Sequence, residues 1–423
     1  MALAQHNTIF VSAQPDQLYF HWQVELYLYQ FAKHGIADRC YAIFGYRDKP
    51  SEYALNLSKK YKHILLYKDT RPISVPNYYI PSIRPHLLKQ FFKEFPELGA
   101  SVFYHDSDIF LVNMPRFDLL LADNNGYVSD TVSYIGYNYI DGCQKRYKEK
   151  YPAIPEDDLL TRMCNCMEVP IDLIKKNDAG SGGAQYLLKH IDAAFWEEVE
   201  VKCQSLYSCM KEYEKQYPIS KGIQIWTADM WAVLWMYWKR GKSTIVHPEL
   251  DFSWATSSVT EYYKKNIFHL AGVTGETRKG KFYKGEYIHT NIFTAYAKNK
   301  DMFRYIDPSN ATYEYVKIIK EYVDTMDATE IQVLKGVTRF LLNSNDAWSS
   351  VYTRDDTKQV CGKPVWRSDN NQYIIFHNGN SWIITHRKYE SDVKAGSGGY
   401  TASSGGEPYE DSWNCKCSIK RLD

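Results

Sequence analysis

Four short runs rich in β-branched and aromatic residues punctuate the first 112 positions: "NTIFVSA" (7–13), "RCYAIFGY" (39–46), "HILLYK" (63–68) and "SVFYHDSDIFLV" (101–112). A helix-length segment, "LYFHWQVELYLYQFAKHG" (18–35), lies between the first two. Another, "SIRPHLLKQFFKEFPEL" (82–98), precedes the fourth, with Pro85 near its start as helix starts prefer. Strands that alternate with helices predict a mostly parallel sheet covered by helices, an α/β fold. Such sheets receive ligands outside the carboxyl ends of their strands. That rule places Gln14 and Asp16 after the first strand, and Asp106 and Asp108 after the fourth, along one edge.

The two aspartates, one residue apart between apolar runs, are costly to desolvate unless something neutralises them. A metal ion is the usual answer. From about residue 331 the texture changes: "VLKGVTRFLLNSNDAWSS" leads to short strands, "KPVWRS", "NQYIIFHNG" and "NSWIITH", and then to the Gly- and Ser-rich "AGSGGYTASSGGEPYEDSW". We expect a catalytic domain over 1–330 and a small β-rich accessory or binding domain over 331–423. Nine cysteines include no CxxC pair, so the usual zinc spacing is absent. Cys164 and Cys166 form one CxC, Cys415 and Cys417 another. A bond from Cys361 to Cys415 or Cys417 would support the small module.

Composition narrows the function. Lys plus Arg number 51 against 50 Asp plus Glu, so no basic field draws nucleic acid or anionic membrane. Tyr, at 36, and Trp, at 11, suit sites that stack on sugars or bases, and they also fill ordinary cores. No window approaches a membrane span, and "MALAQHNTIF" lacks the features of a signal peptide. As the sequence stands the expectation is cytoplasmic; the alternative is the Golgi or ER lumen, with a membrane anchor removed. Asn56 and Asn310 each open a glycosylation sequon, a pattern common by chance.

A strand ending in "FYHDSDIFL" resembles the DxD of GT-A nucleotide-sugar glycosyltransferases, in which carboxylate oxygens hold Mn²⁺ or Mg²⁺ against the donor's diphosphate. The resemblance implies that Asp108 ligates the metal and that Asp106 meets the metal or the donor ribose. "NIFHLAGVTGETRKGKFYKGEY" (266–287) looks like the segment that closes the donor site of glycogenin-like retaining transferases. There His269 would be the third metal ligand, Gly272 would allow close approach, and Lys281 or Lys284 would meet the diphosphate. "KKNDAGSGGAQYLLK" (175–189), too rich in glycine for a helix interior, predicts a loop leading into "AQYLLKHI". GT-A enzymes carry sugar-holding groups on such a segment. Asn177, Ser181, Gly182 and Gly183 are the candidates for acceptor or sugar binding, with Asp178 and Gln185 for catalysis. Asp229, the one acid in the apolar helical stretch "IQIWTADMWAVLWMYWKRGK" (223–242), is either a helix-start residue or a further catalytic candidate.

Residues 8 to about 290 resemble one family more closely, the plant and algal hydroxyproline O-arabinosyltransferases and peptidyl-serine α-galactosyltransferases. "SAQPDQLYFHWQVELYLYQF" looks like their first strand and helix, and "YYIPSIRPHLLKQFF", with Arg84 as a donor-binding candidate, like the segment ahead of their DxD strand. Ile83-Arg84-Pro85-His86 departs from it in lacking an aromatic carbocycle after proline. The resemblance implies a GT-A, Rossmann-like fold and a metal-dependent, retaining transfer of sugar from a UDP-sugar to a hydroxyl of a peptide or glycan. Because an amide is a poor nucleophile, Gln185 favours attack on the same face as the departing phosphate. The competing expectations are a metal-dependent phosphoesterase, which also uses paired aspartates and a histidine, and a carbohydrate-binding protein with an inactive transferase domain.

Overall fold

The structure, a computed structural model, describes residues 8–72, 78–326, 339–344, 348, 350–361, 363–378, 381–391, 401–403 and 417–421. It divides into two compact units, Met1–Lys284 with Asp301–Tyr322, and Gly285–Lys300 with Val323–Asp423. Segment 285–300 thus groups with the C-terminal unit, where a single cut near residue 330 would assign it to the first.

In the first unit the expected parallel sheet forms from β1 (Ile9–Pro15), β2 (Cys40–Tyr46), β3 (Ile64–Lys68), β4 (Ser101–His105), β6 (Gly126–Asp130), β7 (Gly182–Lys189) and β8 (Thr244–Val246), in the order β3-β2-β1-β4-β7-β6-β8. Only β7 runs against its neighbours, β4 and β6. Strand alternation assigns the two faces of β1. Ile9, Val11 and Ala13 join the core that contains Leu87, Leu88 and Phe91 of α3 (Ile83–Glu94). Phe10 and Ser12 turn the other way, to Phe31 (ring centroids 6.0 Å apart) and the Tyr27 hydroxyl (2.8 Å) of α1 (Leu18–Ala32). A helix that the sequence reading missed, α2 (Glu52–Lys60), starts at Ser51, whose hydroxyl accepts from Ala54 N at 3.1 Å.

The run "SVFYHDSDIFLV" is not one strand. It breaks at Asp106: β4 stays in the large sheet, while β5 (Ile109–Leu111) enters a second sheet of order β5-β10-β9, with β9 (Phe252–Trp254) and β10 (Ile267–His269). Asp106 and Asp108 therefore occupy the step between two sheets. Around the large sheet, α4 (Tyr137–Lys150), α5 (Ala193–Gln216) and α6 (Ala228–Lys239) complete the frame used below. Helix α6 is apolar all round, with Trp231, Trp235 and Trp238 at most 1% exposed. Each such side chain contributes about 1.5–3 kcal/mol through burial. This anchors the helix whose first turn carries Asp229.

The second unit contains an antiparallel sheet of β11 (Arg339–Ser344), β12 (Ser350–Val360), β13 (Lys363–Ser368), β14 (Tyr373–His377), β15 (Trp382–His386), β16 (Thr401–Ser403) and β17 (Cys417–Arg421), in the order β16-β15-β14-β13-β12-β11-β17. The three expected strands are β13, β14 and β15. Along β14, Tyr373 and Ile375 pack with Trp366 and Trp382, while Ile374 and Phe376 pack with Val365 and Ile383, so both faces bury apolar side chains. Of the proposed pairing, Cys361 is an exposed free thiol, while Cys415 and the side chain of Cys417 lie outside the described residues. Cys164 and Cys166 are free thiols. Among the described residues no helix is long and apolar enough to cross a membrane. The sequon asparagine Asn310 is buried in the first unit, its Nδ2 donating to Ser257 O at 3.0 Å.

Candidate active site

Strand register assembles the central cluster. β10 runs antiparallel to β5 with His269 opposite Ile109, and Leu270 N donates to Asp108 O at 2.9 Å. The imidazole is thereby delivered beside the carboxylates. His269 Nε2 lies 3.3 Å from Asp108 Oδ1 and 3.5 Å from Asp106 Oδ2. Trp254 stacks on the ring at 6.2 Å and Phe252 meets it at 5.3 Å, which fixes its plane. One ligand atom from each of Asp106, Asp108 and His269 lies within 4.8 Å of the other two. Two hard carboxylates and one imidazole nitrogen suit Mn²⁺ or Mg²⁺, and among the described residues no other group of three such side chains converges.

Cationic side chains flank the carboxylates. Lys284 Nζ donates to Asp108 Oδ2, and Arg84 Nη1 lies 3.0 Å from Asp106 Oδ1. Burial pushes the Asp108 pKa up, but Lys284 and His269 outweigh it and hold the carboxyl well below its usual range. Burial likewise opposes the Lys284 charge, and Asp108 outweighs it, raising the ammonium's pKa. Arg84 also reaches Asp229 Oδ2 at 3.2 Å, and the Tyr79 hydroxyl donates to Asp229 Oδ1 at 2.8 Å. Burial nevertheless dominates at Asp229 and raises its pKa above the ordinary carboxylate value. Arg84 thus links the DxD to a second, less acidic carboxyl. His105, whose pKa burial lowers to about 4, places Nδ1 2.8 Å from Asp106 O.

The other candidates take different places. Lys281 donates to Thr277 O at 3.3 Å and lines a polar surface depression with Thr256, Ser258 and Asp307. Of the two lysines, Lys284 is the one beside Asp108. Gly272 has φ of +90°, a conformation that a side chain disfavours, and lies against Trp254. Gln14 is buried and donates to Ile43 O at 3.0 Å. Asp16 is held by His21 Nε2 and Ser51 Oγ, each at 2.5 Å, and by Ser51 N at 2.6 Å. Its three partners make it a brace between β1 and α2.

Of the expected loop, only the last two glycines lie in a strand. Gly182 and Gly183 open β7 because any Cβ there would strike Ser129 O at 2.3 Å or the Tyr186 hydroxyl at 2.3 Å. Ser181 is buried just before the strand, and Asn177 Nδ2 donates to its own segment, at Leu173 O. Asp178 Oδ1 accepts from Tyr137 N at 2.5 Å, capping α4 from a distant segment. Asp178→Ala is therefore expected to lower stability by about 1 kcal/mol, read as an earlier urea midpoint, with activity per folded molecule unchanged. Lost activity at unchanged stability would put Asp178 back among the reacting groups. Gln185 is fully buried behind His269, not beside an open surface. Tyr79, Ser129 and Trp254, which brace these groups, gave no local sequence signal because their partners are remote in the chain.

No protein-family model and no curated protein sequence matches the chain. Among solved structures it is similar to a glycosyltransferase involved in the glycosylation of the major capsid of PBCV-1. That match has 10% identity and a TM-score of 0.29, covering 63% of this chain and 94% of that one. It is similar also to core-mannan synthase A from Aspergillus fumigatus in its Mn/GDP form (9% identity, TM-score 0.25, 53% and 69% covered). A third is a mannosyltransferase from Pyrobaculum calidifontis in complex with GDP-Man and Mn²⁺ (12% identity, TM-score 0.21, 55% and 71% covered). At such low scores these similarities carry no functional weight.

Proposed function

We propose that the first unit is a GT-A glycosyltransferase that moves a sugar from a UDP-sugar to a hydroxyl of a peptide or glycan acceptor, using Mn²⁺ or Mg²⁺. The observation that carries the reading is the convergence of Asp106, Asp108 and His269 at the step between the two sheets, outside the carboxyl end of β4. When bound, the metal supplies Lewis-acid charge to the leaving diphosphate. Asp108, held ionised, would be a ligand of that cation, and Lys284, beside it, would be the group to meet a phosphate oxygen. Arg84 Nη1 bridges Asp106 and Asp229, which ties the second carboxyl to the DxD. A two-metal phosphoesterase would need further ligands, which do not join the cluster among the described residues. The second unit we read as an accessory binding module.

For the stereochemical course we propose retention by same-face attack, since neither Gln185 nor Asp178 is placed to act as a nucleophile. A second reading, inversion with Asp229 as general base, is favoured by that carboxyl's burial-raised pKa. Slow hydrolysis of a panel of UDP- and GDP-sugars with and without Mn²⁺ identifies the donor, and proton NMR of the transfer product assigns its anomer. UDP-sugar turnover that needs Mn²⁺ is the expected result. Cleavage of a simple phosphomonoester with no sugar-nucleotide turnover would overturn the reading.

A further inference from the structure

Two cysteines outside the candidate active site face each other across a pair of packed helices. Cys166 lies on the helix Asp158–Met167 and Cys209 on α5. Contacts on either side of them fix an antiparallel register. On one side the Arg162 guanidinium lies over the Tyr213 ring at 5.1 Å and its Nη1 donates to Gln216 Oε1 at 2.8 Å; on the other, Lys202 Nζ meets Glu168 Oε1 at 2.8 Å. Rising numbers on one helix meet falling numbers on the other, which brings Cys166 opposite Cys209.

The sulfur contacts agree with that register. Cys209 Sγ donates to Arg162 O at 3.6 Å, the carbonyl that in an α-helix also accepts from Cys166 N. The two thiols are hydrogen-bonded to each other. Both are half-buried and open to a small reagent, whereas their chain neighbours Cys164 and Cys203 are at most 2% exposed. Burial pushes the Cys164 thiol up to about 12, but at Cys166 the Cys209 proton and the Lys202 charge outweigh burial and bring the pKa down to about 7. A thiol that ionises near ambient pH is well placed to attack a disulfide.

We propose that Cys166 and Cys209 form a redox modification site, which a small disulfide of the glutathione class oxidises to a bond tying the helix Asp158–Met167 to α5. The Cys166 thiolate attacks one sulfur of the reagent, forming a mixed disulfide and expelling one thiolate. Cys209 then gives up its proton and attacks the Cys166 sulfur, expelling the second thiolate. Two electrons pass from the protein sulfurs to the reagent, and the two protein protons end on the two released thiols. The new bond staples α5, whose Gln204 Oε1 accepts from Tyr79 N at 2.9 Å and whose Tyr207 stacks on the Tyr79 ring at 4.6 Å. Closing the chain between the two cysteines restricts the unfolded state and raises the thermal midpoint.

The test treats the whole folded chain with oxidised glutathione, blocks the remaining thiols by alkylation and maps the tryptic peptides. Residues 163–175 and 203–211 should appear as one linked pair, and each contains two cysteines. Fragmentation of the wild-type pair should place the bond between Cys166 and Cys209. The pair should be absent from Cys166→Ser and from Cys209→Ser, and the oxidised wild type should melt a few degrees above its dithiothreitol-treated form. A bond through Cys164 or Cys203, a glutathione adduct on Cys166 that goes no further, or unmodified thiols at both positions would each overturn the inference.

Discussion

Asp108→Asn is expected to weaken Mn²⁺-dependent binding of UDP by roughly 10²-fold or more, because the hard cation loses one of its two anionic oxygen ligands, and even an outer-shell loss costs about 10–100-fold. Asp108 is 5% exposed and faces both Lys284 and His269. The asparagine keeps the shape, so circular dichroism and thermal midpoint should change little. The Lys284 side chain, 26% exposed, can turn to water when its carboxylate is lost. His269→Ala should cost less in metal affinity, since water replaces a nitrogen ligand, yet turnover should fall further than affinity because the diphosphate loses a fixed reference. Calorimetric titration of UDP with and without Mn²⁺ reads both variants. Unchanged affinity in Asp108→Asn would remove that residue from the donor site.

If Asp229 is the base of the inverting reading, Asp229→Asn should lower turnover by about 10²-fold or more, the usual worth of a positioned acid–base group, with Mn²⁺-dependent UDP affinity intact. The asparagine Oδ1 still accepts from Tyr79, so the start of α6 should hold. The pH profile separates the two stereochemical readings. Burial raises the Asp229 pKa, so a base at this position works above that raised value and is lost as pH falls through it. Under inversion the acid limb of kcat/KM lies above the ordinary carboxylate range in the wild type and vanishes from the variant's residual activity. Under retention the limb persists in the variant. Wild-type turnover in Asp229→Asn would exclude the residue from the chemistry altogether.

The parts of the site legible in the sequence were those with local signatures. The βαβ alternation placed Asp106 and Asp108 at a strand's carboxyl end, and "NIFHLAG" pointed to His269 through its own short context. The break of "SVFYHDSDIFLV" into strands of two different sheets was hidden, because apolar residues flank the aspartates on both sides and a continuous run reads as one strand. That break is what brings His269 to the carboxylates. Composition could not choose between Lys281 and Lys284 in an irregular segment, where side-chain direction has no period. Glycine is depleted in strands, so Gly182 and Gly183 read as loop. Tight neighbours at Ser129 and Tyr186 require them inside β7. The bond that Asp178 makes was hidden for a related reason: a cap for α4 and a polar group of a sugar-binding loop have the same local composition. Only the remote partner, Tyr137 N, tells them apart.

The most direct test is a crystal of the chain grown with UDP and Mn²⁺ and measured at the manganese absorption edge. The account predicts one anomalous peak at coordination distance from Asp106, Asp108 and His269, with the UDP diphosphate against it and Lys284 turned to a phosphate oxygen. A peak elsewhere, or bound UDP with no manganese beside the two aspartates, would contradict it.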